Sequence, residues 1–194
     1  MQLQKYLAKN PKKYIIFDLD GTLANLLIDW KGFRKNLRKI VATVDRKVAR
    51  EIPDRSGVSN LLYNHAIMKR GEKARKLVLK YCESWERNHF KGIKLNKELV
   101  NFIKKNKRKY KFFIWSANNR KTVIKVLKQL NILSCVKKII TKEEVVLLKP
   151  WPDGFYLIAD LKKQEHKDFL MVGDSDNDRL AAKAVGIDFF EVKM

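Results

Sequence analysis

The chain has 194 residues, 45% of them hydrophobic and 33% charged. That suits one domain, or one domain carrying an insert, and excludes a wholly disordered chain. Lys plus Arg number 43 against 21 Asp plus Glu, a net charge of +22, which raises nucleic acid or another polyanion as a partner. No apolar run approaches the roughly 18–20 residues of a membrane span. Residues 1–13 lack the apolar stretch of a signal peptide. Cys82 and Cys135 form no paired motif, so the expected setting is a reducing cytoplasm with two free thiols.

The elements follow in chain order. Tyr14 to Asp20 reads Tyr-Ile-Ile-Phe-Asp-Leu-Asp and runs into Gly21. This is the pattern of a buried strand that delivers acids to a sheet edge. Residues 29–91 show helical periodicity and hardly any strand signal. Phe33, Leu37, Ile40, Val41 and Val44 form one stripe. Leu61, Leu62, His65, Ala66 and Met68 form a second, and Leu77, Val78, Tyr81, Cys82 and Trp85 a third. Ile52-Pro53-Asp54 and Ser56-Gly57 separate the first two. Trp30, Tyr63, Tyr81 and Trp85 sit at helical spacings and are expected in the core of this segment.

From residue 93 onward, helix and strand patterns alternate. Leu95 to Lys107 is expected helical, Tyr110 to Trp115 a strand and Arg120 to Leu130 a helix. Val136 to Ile140 is a strand, Asp153 to Leu161 a helix and Phe169 to Val172 a strand. Arg179 to Val185 is a helix stopped by Gly186, and Ile187 to Val192 is the last strand. Such alternation predicts an α/β fold. Its core is a Rossmann-like parallel sheet with helices on both faces, and a helical segment is inserted after the first strand. The expected division is residues 1–24 and 93–194 for the core and 25–92 for the insert. Residues 29–91 carry 17 basic and 7 acidic side chains, so the insert is nearly twice as positive per residue as the rest. The excess lies in Lys, 32 against 11 Arg. Reading of bases and phosphates favours the Arg fork, so the charge fits a lysine-rich proteome better than a nucleic-acid partner, and the sequence leaves both open.

The chemistry starts with Asp18-Leu19-Asp20-Gly21-Thr22. Residues two apart in a strand point to the same side, so Asp18 and Asp20 approach each other where the strand ends. Bare carboxylates that close repel unless a cation sits between them. An isolated D-x-D is usually a capping turn. Here a second acidic loop, Gly173-Asp174-Ser175-Asp176-Asn177-Asp178, also follows an apolar strand. Oxygen ligands gathered at strand ends suit Mg²⁺. Ser116-Ala117-Asn118-Asn119 follows another strand, and a hydroxyl with free amides at a helix start holds phosphate well. Lys149 precedes Pro150, which restricts it to extended geometry.

These residues in this order resemble the haloacid dehalogenase superfamily of hydrolases. The D-x-D-G-T signature stands at Asp18 to Thr22, the serine at Ser116, the lysine at Lys149 and the second acidic loop at Gly173 to Asp178. Lys149-Pro150 with Pro152-Asp153, and Ala181-Ala182 before Val185-Gly186-Ile187, are similar to the phosphoglycolate-phosphatase-like branch, whose members carry a helical cap just after the first motif; the resemblance implies that this cap closes on hinges near Ala24-Asn25 and Gly92. The resemblance implies a Mg²⁺-dependent phosphatase acting on a small phosphorylated metabolite through an aspartyl-phosphate. Asp18 is then the nucleophile and Asp20 the general acid and base. Asp18, Asp20 (through its backbone carbonyl), Asp174 and Asp178 hold the metal. Thr22, Ser116, Asn118 and Lys149 serve the phosphate, with Thr22 also orienting Asp20.

Asp20 separates this chain from the dehalogenases, which lack an acid there, and Leu19 separates it from the transport ATPases, which carry lysine. A phosphomutase keeps the same acid and stays open. So do a nucleotide or nucleic-acid-end phosphatase and a basic binding module with an idle site. Nothing marks a cap lysine for the phosphonate-cleaving branch. The sequence leaves open whether the chain acts as a monomer or a homodimer.

Overall fold

Every residue of β1, Tyr14–Phe17, is buried. A strand covered on both faces belongs in the middle of a parallel sheet, and that is where β1 lies. In a computed structural model that describes residues 2–53 and 57–193, five parallel strands form the main sheet. Their order is β5 (Val136–Ile140), β4 (Lys111–Trp115), β1, β6 (Phe169–Gly173) and β7 (Asp188–Glu191). The chain leaves β1 first toward β4 and later returns to its other side as β6. The carboxyl ends of these three strands therefore meet at the point where strand order reverses, the usual ligand crevice of an open α/β sheet.

Alternation along the strands divides the core. Ile15 and Phe17, with Phe112, Ile114, Leu170 and Val172, pack with α1 (Gln2–Lys9), α5 (Lys97–Asn106) and α6 (Arg120–Gln129). Tyr14, Ile16, Phe113, Trp115, Phe169 and Met171 pack with α7 (Asp153–Ile158) and α8 (Asp176–Ala184). On that side the core continues without a break into the insert. Helix α1 is an addition to the expected elements; Leu3 and Leu7, four apart, give it a buried face. Helix α8 starts at Asp176, three residues earlier than expected. Ser175 and Asp178 form a capping box there, which draws the acidic loop into the first helical turn. At its far end Gly186 adopts φ +66°. Its N–H donates to Lys183 O and that of Ile187 to Ala182 O, a Schellman termination.

The insert is helical: α2 (Trp30–Val44), α3 (Arg46–Glu51) and α4 (Ser59–His89). Asp29 and Asp45 cap the first two through the N–H groups of Gly32 and Val48. Asp54 and Ser56, part of the expected break, lie outside the described residues. Helix α4 is interrupted at Gly71, whose φ of 60° and ψ of −147° only glycine adopts readily. The insert joins the core through two strands absent from the expectation, β2 (Ala24–Leu26) and β3 (Ile93–Leu95). They pair antiparallel with Ala24 opposite Leu95. Each is three residues long, too short to show a period. Leu27 and Lys91 extend the ribbon by two backbone bonds of 2.9 Å each. Both expected hinges thus fall in one clasp. Among the described residues no helix is long and apolar enough to cross a membrane.

Helix α4 also grips the core directly. Asn64 is fully buried; its Nδ2 donates to Leu148 O at 2.8 Å and its Oδ1 accepts from Leu148 N at 2.7 Å. Asn60 Nδ2 donates to Lys149 O at 3.0 Å. The change Asn64→Ala leaves the N–H of buried Leu148 unpaired and removes one of the two donors to its carbonyl, which keeps Trp151 N; the lone N–H costs about 1–3 kcal/mol. In urea denaturation the midpoint is expected to fall with the slope unchanged; an unchanged midpoint contradicts this account of the anchor.

Candidate active site

Asp18 follows β1 directly, and its N–H donates to Val172 O at 2.9 Å. That bond continues the β1–β6 pairing one step and sets the carboxylate beside the end of β6. Gly21, with φ +86°, then turns the chain against the second acidic loop. A Cβ on Gly21 would stand 2.2 Å from Asp174 Oδ2, and one on Gly173 would stand 2.6 Å from Asp178. Glycine at 21 lets the two loops meet, and glycine at 173 lets the second loop fold Asp178 back over its own start. Asp18, Asp174 and Asp178 each offer one oxygen, and these oxygens lie within 4.8 Å of one another.

Lys149 completes the cluster from the side. Its Nζ donates to Asp18 Oδ1 at 2.6 Å, to Asp178 Oδ1 at 2.5 Å and to Trp115 O at 2.8 Å. All three of its protons are thereby placed. The Lys149–Pro150 peptide is cis. Burial opposes the ammonium, but Asp178 and Asp18 outweigh it and hold Lys149 protonated. Burial, opposed by Lys149 and reinforced by Asp178 and Asp174, pushes Asp18 well above the usual carboxylate range. Asp174 is also raised, by desolvation and then by Asp178. One ammonium therefore leaves the three acids undercompensated.

Asp20 stands apart. Its Oδ1 accepts from the N–H of Leu26, the last residue of β2, at 2.7 Å. Burial pushes it up to about 7 against that hydrogen bond, so both of its protonation states are populated near neutrality. Its side chain is not in the three-acid cluster. Thr22 is buried and donates to Asp174 Oδ1 at 3.1 Å, not to Asp20 as expected, because the Gly21 turn directs it toward the second loop. Ser116 Oγ donates to Asn118 Oδ1 at 2.9 Å and accepts from Asn118 N at 3.2 Å. Both residues are buried next to the cluster, beyond the end of β4.

A cavity of about 260 Å³ lies between the acids and the insert. Asp18, Asp20, Asn118, Lys149 and Asp174 line it from the core. Trp30, Phe33, Arg34, Leu37 and Tyr63 line it from the insert. Trp30 and Tyr63 thus border the cavity instead of serving only the core, whereas Tyr81 and Trp85 pack on Phe33 and His89. Two further lining residues escaped the motif analysis, Glu86 and Lys142. Glu86 has a visible signal: Ala74, Val78, Cys82 and Glu86 are spaced four apart, which puts a carboxylate on a buried helical stripe. Lys142 carries none, being one lysine among 32.

Comparisons with known proteins agree with this architecture. A Haemophilus somnus structure described as a predicted phosphoglycolate phosphatase has a TM-score of 0.60 at 22% identity, covering 93% of this chain and 84% of its own. A Bacteroides fragilis protein described as a haloacid dehalogenase-like hydrolase gives 0.63 at 21%, with 93% and 87% covered. A Bacillus subtilis HAD-hydrolase structure bound to magnesium gives 0.53 at 16%, with 92% and 87% covered. No curated protein sequence matches the chain. The profile of the haloacid dehalogenase-like hydrolases matches residues 15–192, from the first strand to just past the last. Nearly the whole chain is thus accounted for, and it belongs to that family of hydrolases.

Proposed function

We propose that the protein is a Mg²⁺-dependent phosphatase that hydrolyses a small phosphate monoester through an aspartyl-phosphate on Asp18. The observation that carries this reading is the grouping of Asp18 with Asp174, Asp178 and Lys149, with Asp20 held two residues away and outside the group. Three hard oxygen donors with one ammonium between them fit a divalent ion, which takes carboxylates plus water and phosphate oxygens. Asp18 and Asp174 with Asp178 would hold it, and when bound it supplies positive charge to the phosphoryl oxygens.

The chain's own residues do the rest. An Asp18 oxygen attacks phosphorus and the ester P–O bond breaks. Asp20, protonated in part near neutral pH, gives its proton to the leaving alkoxide. Its carboxylate then takes a proton from water, which attacks phosphorus and releases inorganic phosphate with Asp18 restored. Lys149 balances charge as the acids and phosphoryl group crowd together. Ser116 and Asn118 offer a hydroxyl and an amide beside them.

The cavity volume of about 260 Å³ supports a small leaving group. The positive insert draws an anionic ester toward it. Cys82 and Cys135, both free and buried, support a reducing cytoplasmic setting. In this reading residues 25–92 are a cap that closes over residues 1–24 and 93–194 and excludes water.

With Mg²⁺ present, p-nitrophenyl phosphate is expected to be hydrolysed, and Asp18→Asn to lower kcat by about a thousandfold or more. Normal turnover in folded Asp18→Asn refutes the nucleophile. Asp20→Asn should slow an alkyl phosphate by about 10²–10⁴-fold. Nitrophenolate leaves without a proton, so its ester should be spared in the first half-reaction. Burst kinetics on the two esters separates these effects. A chelator should abolish turnover, and added Mg²⁺ should restore it and raise Tm.

A further inference from the structure

Outside the acid cluster, Glu86 and Lys142 form the most deeply buried ion pair among the described residues. Glu86 has no exposed surface and Lys142 is 3% exposed. Lys142 Nζ donates to Glu86 Oε1 at 2.8 Å. Both Glu86 oxygens also accept from one backbone group, Asn119 N, at 3.0 and 2.9 Å. Desolvating two ions opposes such a pair, and apolar residues of similar volume would hold a helix as firmly. Packing alone does not account for the choice.

The placement of the two partners supplies the reason. Glu86 lies in the last turn of α4, within the insert. Asn119 follows Asn118 directly and caps α6 by accepting from Lys121 N. The loop between β4 and α6 is tied at its other end by Ser116 N, which donates to Ile140 O at 3.0 Å. Glu86 is therefore the buried contact from the insert to the backbone at the far end of the loop holding Ser116 and Asn118; Glu83 of the insert pairs with Lys121 two residues on, and Glu143 of the core holds the Asn119 side chain and Arg120 N. If the insert moves away, Asn119 N loses its acceptor and Lys142 loses its counter-ion. Both losses favour the seated insert.

We propose that Glu86 is a positioning residue that couples seating of the cap to assembly of the phosphate-binding loop, with Lys142 as the counter-ion that permits its burial. This rests on the phosphatase reading for the identity of the loop's ligand. Single variants leave a lone buried charge, so the comparison is made with Lys142→Met already present. Glu86→Gln/Lys142→Met keeps an amide oxygen for Asn119 N, and Glu86→Ala/Lys142→Met removes it.

Inorganic phosphate is titrated calorimetrically into wild type and both double variants in the presence of Mg²⁺, and kcat and KM for phenyl phosphate are measured in parallel. The Gln variant is expected to bind phosphate within about threefold of wild type, and the Ala variant about tenfold or more weaker, with a matching rise in KM. Equal phosphate affinity in the two folded double variants overturns the proposal, even if both are less stable than wild type. Wild type that binds phosphate and hydrolyses no ester overturns the phosphatase reading alone, and the calorimetric contrast still decides the role of Glu86.

Discussion

Three carboxylates crowded at the end of a parallel sheet repel one another, and the surrounding structure is built to tolerate that repulsion. At about 4 Å, with an effective dielectric near 20, a single like-charge pair costs about 4 kcal/mol. Asp18 and Asp178 are buried, and Asp174 adds a third carboxylate from an exposed position. Lys149 offsets part of this, and its placement is fixed by three hydrogen bonds. Gly21 removes the side chain that would hold the two loops apart, and Gly173 the one that would keep Asp178 from folding back within its own loop. The capping box of α8 ties Asp178 into a helix, so its second oxygen accepts from Ser175 while its first meets Lys149. In the proposed reading, the residual negative charge is what draws a divalent cation to the site.

The insert answers a different requirement. A site that works by charge gains from exclusion of water, and the strand ends alone are open. Helix α4 covers them and is held by uncharged bonds at Asn60 and Asn64 and by the buried pair at Glu86. Its two connections to the core are zipped into one short ribbon, and Asp20 is bonded to Leu26, the last residue of the ribbon's first strand. The residue proposed as proton donor and the path of the insert's attachment are therefore mechanically adjacent.

The fold is legible in the sequence where burial imposes a period. Tyr14 to Phe17 reads as a central strand because both of its faces are apolar, and Gly186 reads as a helix stop because its positive φ suits glycine. The ribbon of β2 and β3 is illegible because three residues cannot display alternation. Helix α1 is short and half lysine and polar residues, so its two leucines resemble scatter. In the site, the two acidic loops are legible as strand-end carboxylates, but the partners of each side chain are not. Thr22 serves Asp174, and Lys149 spends its protons on Asp18, Asp178 and Trp115, because tertiary closeness decides bonding there. Glu86 hides on a stripe that otherwise looks like ordinary core, and Lys142 hides in a lysine-rich composition.

The most direct test of the account is a calorimetric titration of Mg²⁺ into wild type, Asp174→Ala and the control Asp176→Ala. Asp176 is near in sequence but pairs with Arg179 outside the cluster. The account predicts one Mg²⁺ per chain in wild type and in the control, and affinity lower by about tenfold or more in Asp174→Ala. Equal affinity in all three proteins, or no Mg²⁺ bound by wild type, contradicts it.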